Sequence, residues 1–158
     1  MLHRILEHPL TRGHDLDSPE TTQLRKRIIQ EKPFLRKIYV EWYQTLLAEV
    51  GASEPGSRIL ELGSGAGFLE DFSPNVITSD LILVDDLDLI MDAQRPPFTP
   101  GSLSAMLMTN VLHHIPDPVA LFTAASRSIR PGGKIAMIEP WITPWANFVY
   151  RRLHRLLF

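Results

Sequence analysis

Cysteine is absent from the 158-residue sequence, which excludes a disulfide framework, a thiolate nucleophile and a thiolate metal site. Long apolar runs are absent too, because no stretch reaches the roughly 18 apolar residues of a transmembrane segment. Residues 1–7 alternate apolar and charged side chains, whereas a signal peptide has a continuous apolar core. These absences predict a cytoplasmic protein without a transmembrane segment.

Basic residues are scarce in the middle of the chain. Residues 59–126 hold nine Asp and Glu but a single basic residue, Arg95, whereas residues 127–158 hold six Lys and Arg and a single acid, Glu139. Nucleic-acid grooves bind phosphate through clustered Lys and Arg, so the acidic middle argues against such a groove there. We therefore expect no nucleic-acid partner.

The composition is otherwise that of an ordinary globular protein, with 44% hydrophobic and 22% charged residues. The length predicts one domain over residues 1–158. Within it we expect an N-terminal arm and helices over residues 1–50, a ligand-binding core over 58–140 and a basic amphipathic helix over 143–158.

Helix signals dominate the first 50 residues, after an arm of about 16 residues. Ser18 followed by Pro19 is typical of a helix start, and that helix is expected to reach about Lys32. After Pro33, apolar residues recur at steps of three and four as far as Val50. This second stretch predicts an amphipathic helix.

Short apolar runs alternate with turn and helix signals from Arg58 onward. Such alternation is typical of parallel strands joined by crossover helices. We therefore predict an α/β fold, a Rossmann-like doubly wound sheet of about five mainly parallel strands with helices on both faces. A helix is expected from Asp117 to about Ile129, followed by a turn at residues 131–133. The predicted strands cover residues 58–62, 76–79, 87–91, 103–109 and 134–139.

A glycine-rich turn follows the first predicted strand, with glycines at positions 63, 65 and 67. Bare backbone lets a ligand lie against the main chain at such a turn. The dinucleotide fingerprint G-x-G-x-x-G/A fits poorly, because the third glycine comes one position early and Phe68 stands in its place. Glu61, just before the turn, would repel a pyrophosphate and favour an ammonium or sulfonium group. The pattern therefore indicates a cationic ligand.

The motif E-L-G-S-G-A-G at residues 61–67 resembles the first motif of the class I S-adenosylmethionine-dependent methyltransferases, and the chain looks like their methyltransferase type 11 branch. Four later segments match that family in order and spacing. They are T-S-D-L at 78–81, D-A-Q at 92–94 with P-F at 97–98, N-V-L-H-H-I at 110–115, and R-P-G-G at 130–133.

The resemblance implies a site for S-adenosylmethionine, whose product is S-adenosylhomocysteine. Glu61 would support the ammonium end, and Asp80 would accept from both ribose hydroxyls. Asp92 would accept from the adenine amino group, and Leu81 would pack on the adenine face. Alternatively, Asp80 and Asp92 are turn acids at strand ends. The implied cofactor-binding residues are Glu61, Gly63, Ser64, Gly65, Gly67, Asp80, Leu81, Asp92, Ala93 and Asn110.

His113 and His114 are the candidate catalytic residues, since they follow the fourth predicted strand, where such sheets place their sites. Methyl transfer mainly requires alignment of nucleophile and methyl group, and a base helps when the acceptor is a hydroxyl. Alternatively, both histidines pack or cap the strand-to-helix junction.

We expect no metal site, because adjacent side chains diverge. Tyr39, Trp42 and Tyr43 are assigned to core packing, with lid contact as the alternative.

The chain departs from the family pattern in two places. The segment between Gly67 and the second strand leaves room for a helix of about two turns. Only 19 residues follow Glu139, so the two strands that usually close the family's sheet are expected to be missing. Either the chain is truncated, or a partner covers the last strand. We hypothesise that the chain forms a homodimer through that edge or through the last helix.

The resemblance implies a methyltransferase that acts on a small-molecule or glycoconjugate acceptor, saccharides included. The alternative is a non-catalytic or truncated module that binds S-adenosylmethionine. An NAD-type oxidoreductase fits less well because of Glu61 and Phe68. The acceptor itself, its attacking atom and the oligomeric state are not specified by the sequence.

Overall fold

A computed structural model describes residues 13, 15, 18–51, 56–141 and 143. Its helices are α1 (Pro19–Glu31), α2 (Pro33–Val50) and α3 (Pro118–Ser128), and two short 3-10 helices cover Leu69–Phe72 and Leu112–His114. Its strands are β1 (Ile59–Leu62), β2 (Val76–Asp80), β3 (Leu89–Ile90), β4 (Leu103–Thr109) and β5 (Ile129–Ile138). The strands form one sheet in the order β3-β2-β1-β4-β5. All four pairings are parallel, which confirms the predicted fold class.

The two N-terminal helices form where the sequence predicts them. The Ser18 side chain accepts a hydrogen bond from the Thr21 amide at 3.1 Å, and Pro19 occupies the first turn of α1. Lys32 is extended and separates α1 from α2. Gly51 ends α2 with a left-handed φ of 80°.

Two apolar cores lie on opposite faces of the sheet, because side chains alternate along each strand. One core joins α1 and α2 to β1 and β4, and its buried members are Ile29, Tyr43, Leu46, Ile59, Phe68, Leu69, Val76, Ala105 and Leu107. The other joins α3 to the sheet, and its buried members are Leu60, Leu62, Met91, Leu103, Met106, Met108, Leu121 and Ala125. Helices therefore cover both faces.

Three predicted elements differ from the structure. The segment after the glycine turn forms the 3-10 helix of Leu69–Phe72 rather than two helical turns, since the chain must return to β2 within a few residues. Strand β3 pairs over two residues instead of five. Strand β5 starts pairing at Ile129, opposite Leu103, and resumes at Lys134, so residues 130–133 form a bulge where a turn between helix and strand was predicted.

Some predictions lie outside the described residues. They are most of the N-terminal arm and the basic helix over 143–158, of which the structure describes Thr143 alone. Within the described part of the chain, no helix combines the length and the apolar character needed to cross a membrane.

Candidate functional site

The glycine turn connects β1 to the rest of the sheet at the carboxyl ends of the parallel strands. Gly63 has a left-handed φ of 68°, and a Cβ there would overlap the Val111 side chain, which follows β4. A Cβ on Gly65 would lie 2.8 Å from Asp80 Oδ2. A Cβ on Gly67 would lie 2.7 Å from the Tyr43 hydroxyl. The backbone of the turn thus lies directly against three other segments.

Ser64 fastens the turn to β2. Its amide donates to the Ser79 carbonyl at 2.9 Å, and its hydroxyl accepts from the Ser79 amide at 3.1 Å. The Ser79 hydroxyl in turn donates to the Glu61 carbonyl at 2.6 Å. Both serines are buried. The side chain of Ser64 therefore holds the turn in place.

Glu61 is a buried acid beside the turn, with 3% of its surface exposed. Among the described residues its Oε2 atom has no hydrogen-bond partner. Burial raises the pKa of Glu61 to about 7 against the opposing influence of Ser64, while Glu70 raises this pKa further and Lys26 lowers it. A buried carboxylate oxygen without a partner is costly unless a cationic or donor group meets it. The Oε2 atom of Glu61 is therefore a candidate acceptor for a cationic or donor group on a ligand.

Tyr43, on α2, contacts the end of the glycine turn. Its hydroxyl accepts a hydrogen bond from the Phe68 amide at 3.1 Å, and its ring meets the Phe68 ring edge-on at 5.1 Å between centroids. Burial, with Glu61 nearby, raises the pKa of Tyr43, so the phenol stays neutral. The assignment of Tyr43 to core packing is confirmed. Its contact with the turn was missed, since helical spacing does not show where a hydroxyl points.

Asp80 ends β2 next to the turn. Its Oδ2 accepts from the Gly65 amide at 3.0 Å and its Oδ1 accepts from the Ile82 amide at 3.1 Å. A carboxylate has about four acceptor positions, so both oxygens retain capacity for a further donor. Leu81 follows with 72% of its surface exposed, which leaves an apolar side chain open beside the carboxylate.

Asp92 lies beyond the end of β3, and the Met91 amide ties this strand end to the Asp80 carbonyl at 2.9 Å. The backbone amide of Gln94, together with its side-chain amide, lowers the pKa of Asp92. Both of these donors bind Oδ1, at 2.9 and 3.1 Å. Ala93 is half-buried against the core under α3. The structure thus brings Asp92 and Ala93 to the same end of the sheet as Asp80.

Asn110 directly follows β4 and adopts the left-handed region, with a φ of 57°, and its amide donates to the Ile138 carbonyl at 2.8 Å. The chain then forms the 3-10 helix that carries His113 and His114, whose ring centroids are 4.0 Å apart. Both histidines are exposed. The predicted candidates therefore lie in the short helix that follows β4.

Glu139 is a site residue that the sequence interpretation missed. Its Oε2 lies 2.7 Å from His113 Nδ1, and its Oε1 accepts from the amides of Val111 and Leu112 at 2.8 and 2.7 Å. Burial alone would raise the pKa of Glu139, but the hydrogen bonds from His113 and the two amides together lower it. The only signal in the sequence was an acid at the end of a predicted strand.

The described residues contain no group of three or more His, Asp or Glu side chains placed to hold a metal ion. The site consists of the glycine turn, the buried acid Glu61 and two carboxylates, Asp80 and Asp92, at neighbouring strand ends. Among the described residues, Oε2 of Glu61 has no hydrogen-bond partner. This set suits an elongated ligand with a cationic end and a ribose-like pair of hydroxyls.

Comparison with known proteins identifies relatives of this chain. A family model described as a methyltransferase domain matches residues 33–154. The demethylmenaquinone methyltransferase of Beutenbergia cavernae is 31% identical over 121 residues, which cover 68% of this chain and 50% of that protein. The ubiquinone biosynthesis O-methyltransferase of Xanthomonas campestris pv. campestris is 25% identical over 111 residues, with 58% of this chain and 46% of that protein covered. The chain spans about half the length of these curated relatives.

Solved structures share the fold. The geranyl diphosphate C-methyltransferase of Streptomyces coelicolor A3(2), in complex with Mg²⁺, geranyl diphosphate and S-adenosylhomocysteine, superposes with a TM-score of 0.60 at 17% identity, covering 88% of this chain and 61% of that one. A methyltransferase from Methanococcus maripaludis superposes with a TM-score of 0.63 at 11% identity, covering 92% and 76%. Because the family model matches residues 33–154, which are most of this chain, the chain belongs to the class I S-adenosylmethionine-dependent methyltransferases.

Proposed function

We propose that this chain binds S-adenosylmethionine at the carboxyl ends of β1 and β2 and transfers its methyl group to a small-molecule or glycoconjugate acceptor. The observation that carries the proposal is Glu61, a buried acid whose Oε2 has no partner among the described residues and which lies beside the glycine turn. A cationic amino group on the ligand satisfies that oxygen. A pyrophosphate would meet repulsion there.

Other residues of the site fit the remaining parts of the cofactor. Asp80 retains acceptor capacity for ribose hydroxyls on both oxygens, and Leu81 presents an exposed apolar side chain for the adenine face. Asp92 offers an acceptor for the adenine amino group. Once bound, S-adenosylmethionine supplies an activated methyl group on a sulfonium, so the protein has mainly to orient the acceptor against it.

The small-molecule acceptor is supported by the relatives. One is named as a demethylmenaquinone methyltransferase and another as a ubiquinone biosynthesis O-methyltransferase. Incubation of the chain with methyl-labelled S-adenosylmethionine and a small-metabolite extract tests this part of the proposal. We expect labelled small-molecule products. Binding of S-adenosylhomocysteine without any transfer would instead favour the non-catalytic module.

Asp80→Asn is expected to weaken the binding of S-adenosylhomocysteine by roughly 10- to 100-fold, because hydrogen bonds to a charged group contribute about 1.5–3 kcal/mol. Calorimetric titration measures the change. Methylthioadenosine retains the ribose but lacks the amino acid, so its affinity should fall by the same factor. Asp71→Asn, an exposed acid in the first 3-10 helix, is the matched control. Equal affinity in wild type and Asp80→Asn would reassign Asp80 to the turn.

A cytoplasmic location is supported by the absence of cysteine.

A homodimer through the edge of the sheet stays a prediction, supported by the position of β5 at the end of the strand order. Sedimentation velocity at several concentrations tests it. We expect the sedimentation coefficient to rise with concentration, and a constant monomer value would contradict the dimer.

A further inference from the structure

We propose that Glu139 is a positioning residue that orients His113 as the general base for a hydroxyl group on the acceptor. The inference deepens the proposed function and rests on it, because a base is of use only where a methyl group is transferred. It narrows the acceptor class to compounds that carry a hydroxyl, and it assigns a role to a carboxylate that the family motifs do not include.

Both oxygens of Glu139 are used. Oε1 accepts from the amides of Val111 and Leu112, which open the 3-10 helix, and Oε2 binds His113 on the same helix. Because the backbone fixes the carboxylate at one oxygen, the other oxygen has a defined position. The imidazole that binds it therefore has a defined orientation.

The pairing also sets the tautomer of His113. The lowered pKa of Glu139 keeps this carboxyl group ionised, and an ionised carboxylate only accepts hydrogen bonds. The proton of the neutral imidazole must therefore be on Nδ1, 2.7 Å from Oε2. This leaves the lone pair on Nε2, on a side chain that is 45% exposed and so within reach of a substrate.

The segment that carries His113 contacts the glycine turn. Val111, two residues earlier, packs so closely on Gly63 that no Cβ fits there. The imidazole thus lies at the same strand ends as the glycine turn. His114 is exposed, and its described contact is the ring of His113 rather than a carboxylate. The geometry therefore selects His113 from the two candidates.

The step balances without any other reactant. The acceptor O–H bond breaks and its proton goes to Nε2, where Glu139 stabilises the imidazolium that forms. The electron pair of the oxygen forms the O–CH₃ bond, and the electron pair of the broken S–CH₃ bond remains on sulfur. The positive charge of the sulfonium thus becomes the charge of the imidazolium, which releases its proton to water afterwards.

Glu139→Gln separates this role from a purely structural one. The Gln carbonyl can still accept from the two amides and so preserve the 3-10 helix. Its NH₂ group, however, donates, so it binds His113 only when Nδ1 carries the lone pair and Nε2 the proton. The substitution is therefore expected to reverse the tautomer, and an imidazole with the wrong tautomer is a poor base.

Nitrogen-15 NMR of the labelled full chain reads the tautomer directly, with the His113 signals assigned by their loss in His113→Asn. We expect the Nδ1–H form in the wild type and the Nε2–H form in Glu139→Gln. Glu41→Gln, an exposed acid on α2, is the matched control and should keep the wild-type spectrum. The same His113 tautomer in wild type and Glu139→Gln would overturn the proposal.

Transfer assays give the second readout, with catechol and methyl glucoside as hydroxyl probes and aniline as the amine probe. We expect methylated hydroxyl products, with kcat reduced about 100-fold or more in His113→Asn and Glu139→Gln and little change in KM. Transfer to aniline alone, or wild-type kcat in His113→Asn, would overturn the proposal. Failure of the wild-type chain to bind S-adenosylhomocysteine would instead contradict the proposed function.

Discussion

Gly65→Val is expected to lower the affinity for S-adenosylhomocysteine by roughly 10- to 100-fold. A Cβ at this position would lie 2.8 Å from Asp80 Oδ2 and 3.1 Å from Thr22 Cγ2, so a side chain displaces the carboxylate and fills the space beside bare backbone. The displacement also breaks the hydrogen bond from the Gly65 amide to Asp80. The displaced carboxylate can no longer bind the ribose, and the loss of a hydrogen bond to a charged group costs about 1.5–3 kcal/mol.

Two further variants define the Gly65 experiment, which calorimetric titration measures. Gly65→Ala adds the Cβ alone and should give a smaller loss than valine. Ala48→Val adds apolar volume at an exposed position on α2 and should keep the wild-type affinity. Circular dichroism verifies that each variant is folded. Wild-type affinity in a folded Gly65→Val protein would remove the glycine turn from the site.

The affinity for S-adenosylhomocysteine is expected to fall by about tenfold for each pH unit below 7. Burial raises the pKa of Glu61 to about 7, so at lower pH the carboxyl group is protonated and must lose its proton before it can pair with the ligand's ammonium group. Above pH 7 the carboxylate is already ionised and the dependence should level off. Titrations between pH 5.5 and 8.5 measure the slope.

Glu61→Gln should remove most of this pH dependence and weaken binding at pH 8. Methylthioadenosine, which has no ammonium group, should bind wild type and Glu61→Gln with equal affinity. Asp80→Asn, in contrast, should lower the affinity for methylthioadenosine. Glu41→Gln again serves as the surface control. Identical pH profiles of S-adenosylhomocysteine binding in wild type and Glu61→Gln would contradict the role of Glu61.

The same buried acid should lower the stability of the ligand-free protein at high pH. The pKa of Glu61 is higher in the folded chain than the usual 4.5, so the stabilisation is present at low pH and is lost as the pH rises through about 7. A shift of this size corresponds to about 3 kcal/mol. Between pH 5.5 and 8.5, urea unfolding should show a loss of about 2 kcal/mol in wild type, because part of the effect falls below pH 5.5, and little change in Glu61→Gln. The acid thus favours ligand binding at the expense of stability.

Local signals in the sequence were sufficient to place several candidate residues at one end of the sheet. Glu61, the glycines and Asp80 stand at or just beyond strand ends, and parallel strands bring such positions together whatever the details of the helices. The helix boundaries near Ser18 and Pro33 followed from capping and proline chemistry, which act within one helical turn. These features were predictable because each depends on neighbours in the chain.

Contacts between distant segments were not predictable in the same way. Glu139 meets His113 because Thr109 pairs with Ile138, and that register depends on the bulge at residues 130–133. The sequence shows the Arg-Pro-Gly-Gly that permits a bulge but not how many residues it absorbs. Tyr43 reaches Phe68 because α2 packs on the sheet in the same core. Long-range packing therefore decided the parts that were missed.

Calorimetric titration of the full 158-residue chain with S-adenosylhomocysteine, against NAD as the comparison ligand, tests the central claim most directly. The proposed site predicts saturable binding of S-adenosylhomocysteine and no binding of NAD, since Glu61 and the glycine turn suit a ligand that has an ammonium group and no pyrophosphate. Binding of NAD alone, or of neither ligand, would contradict a site for S-adenosylmethionine in this chain.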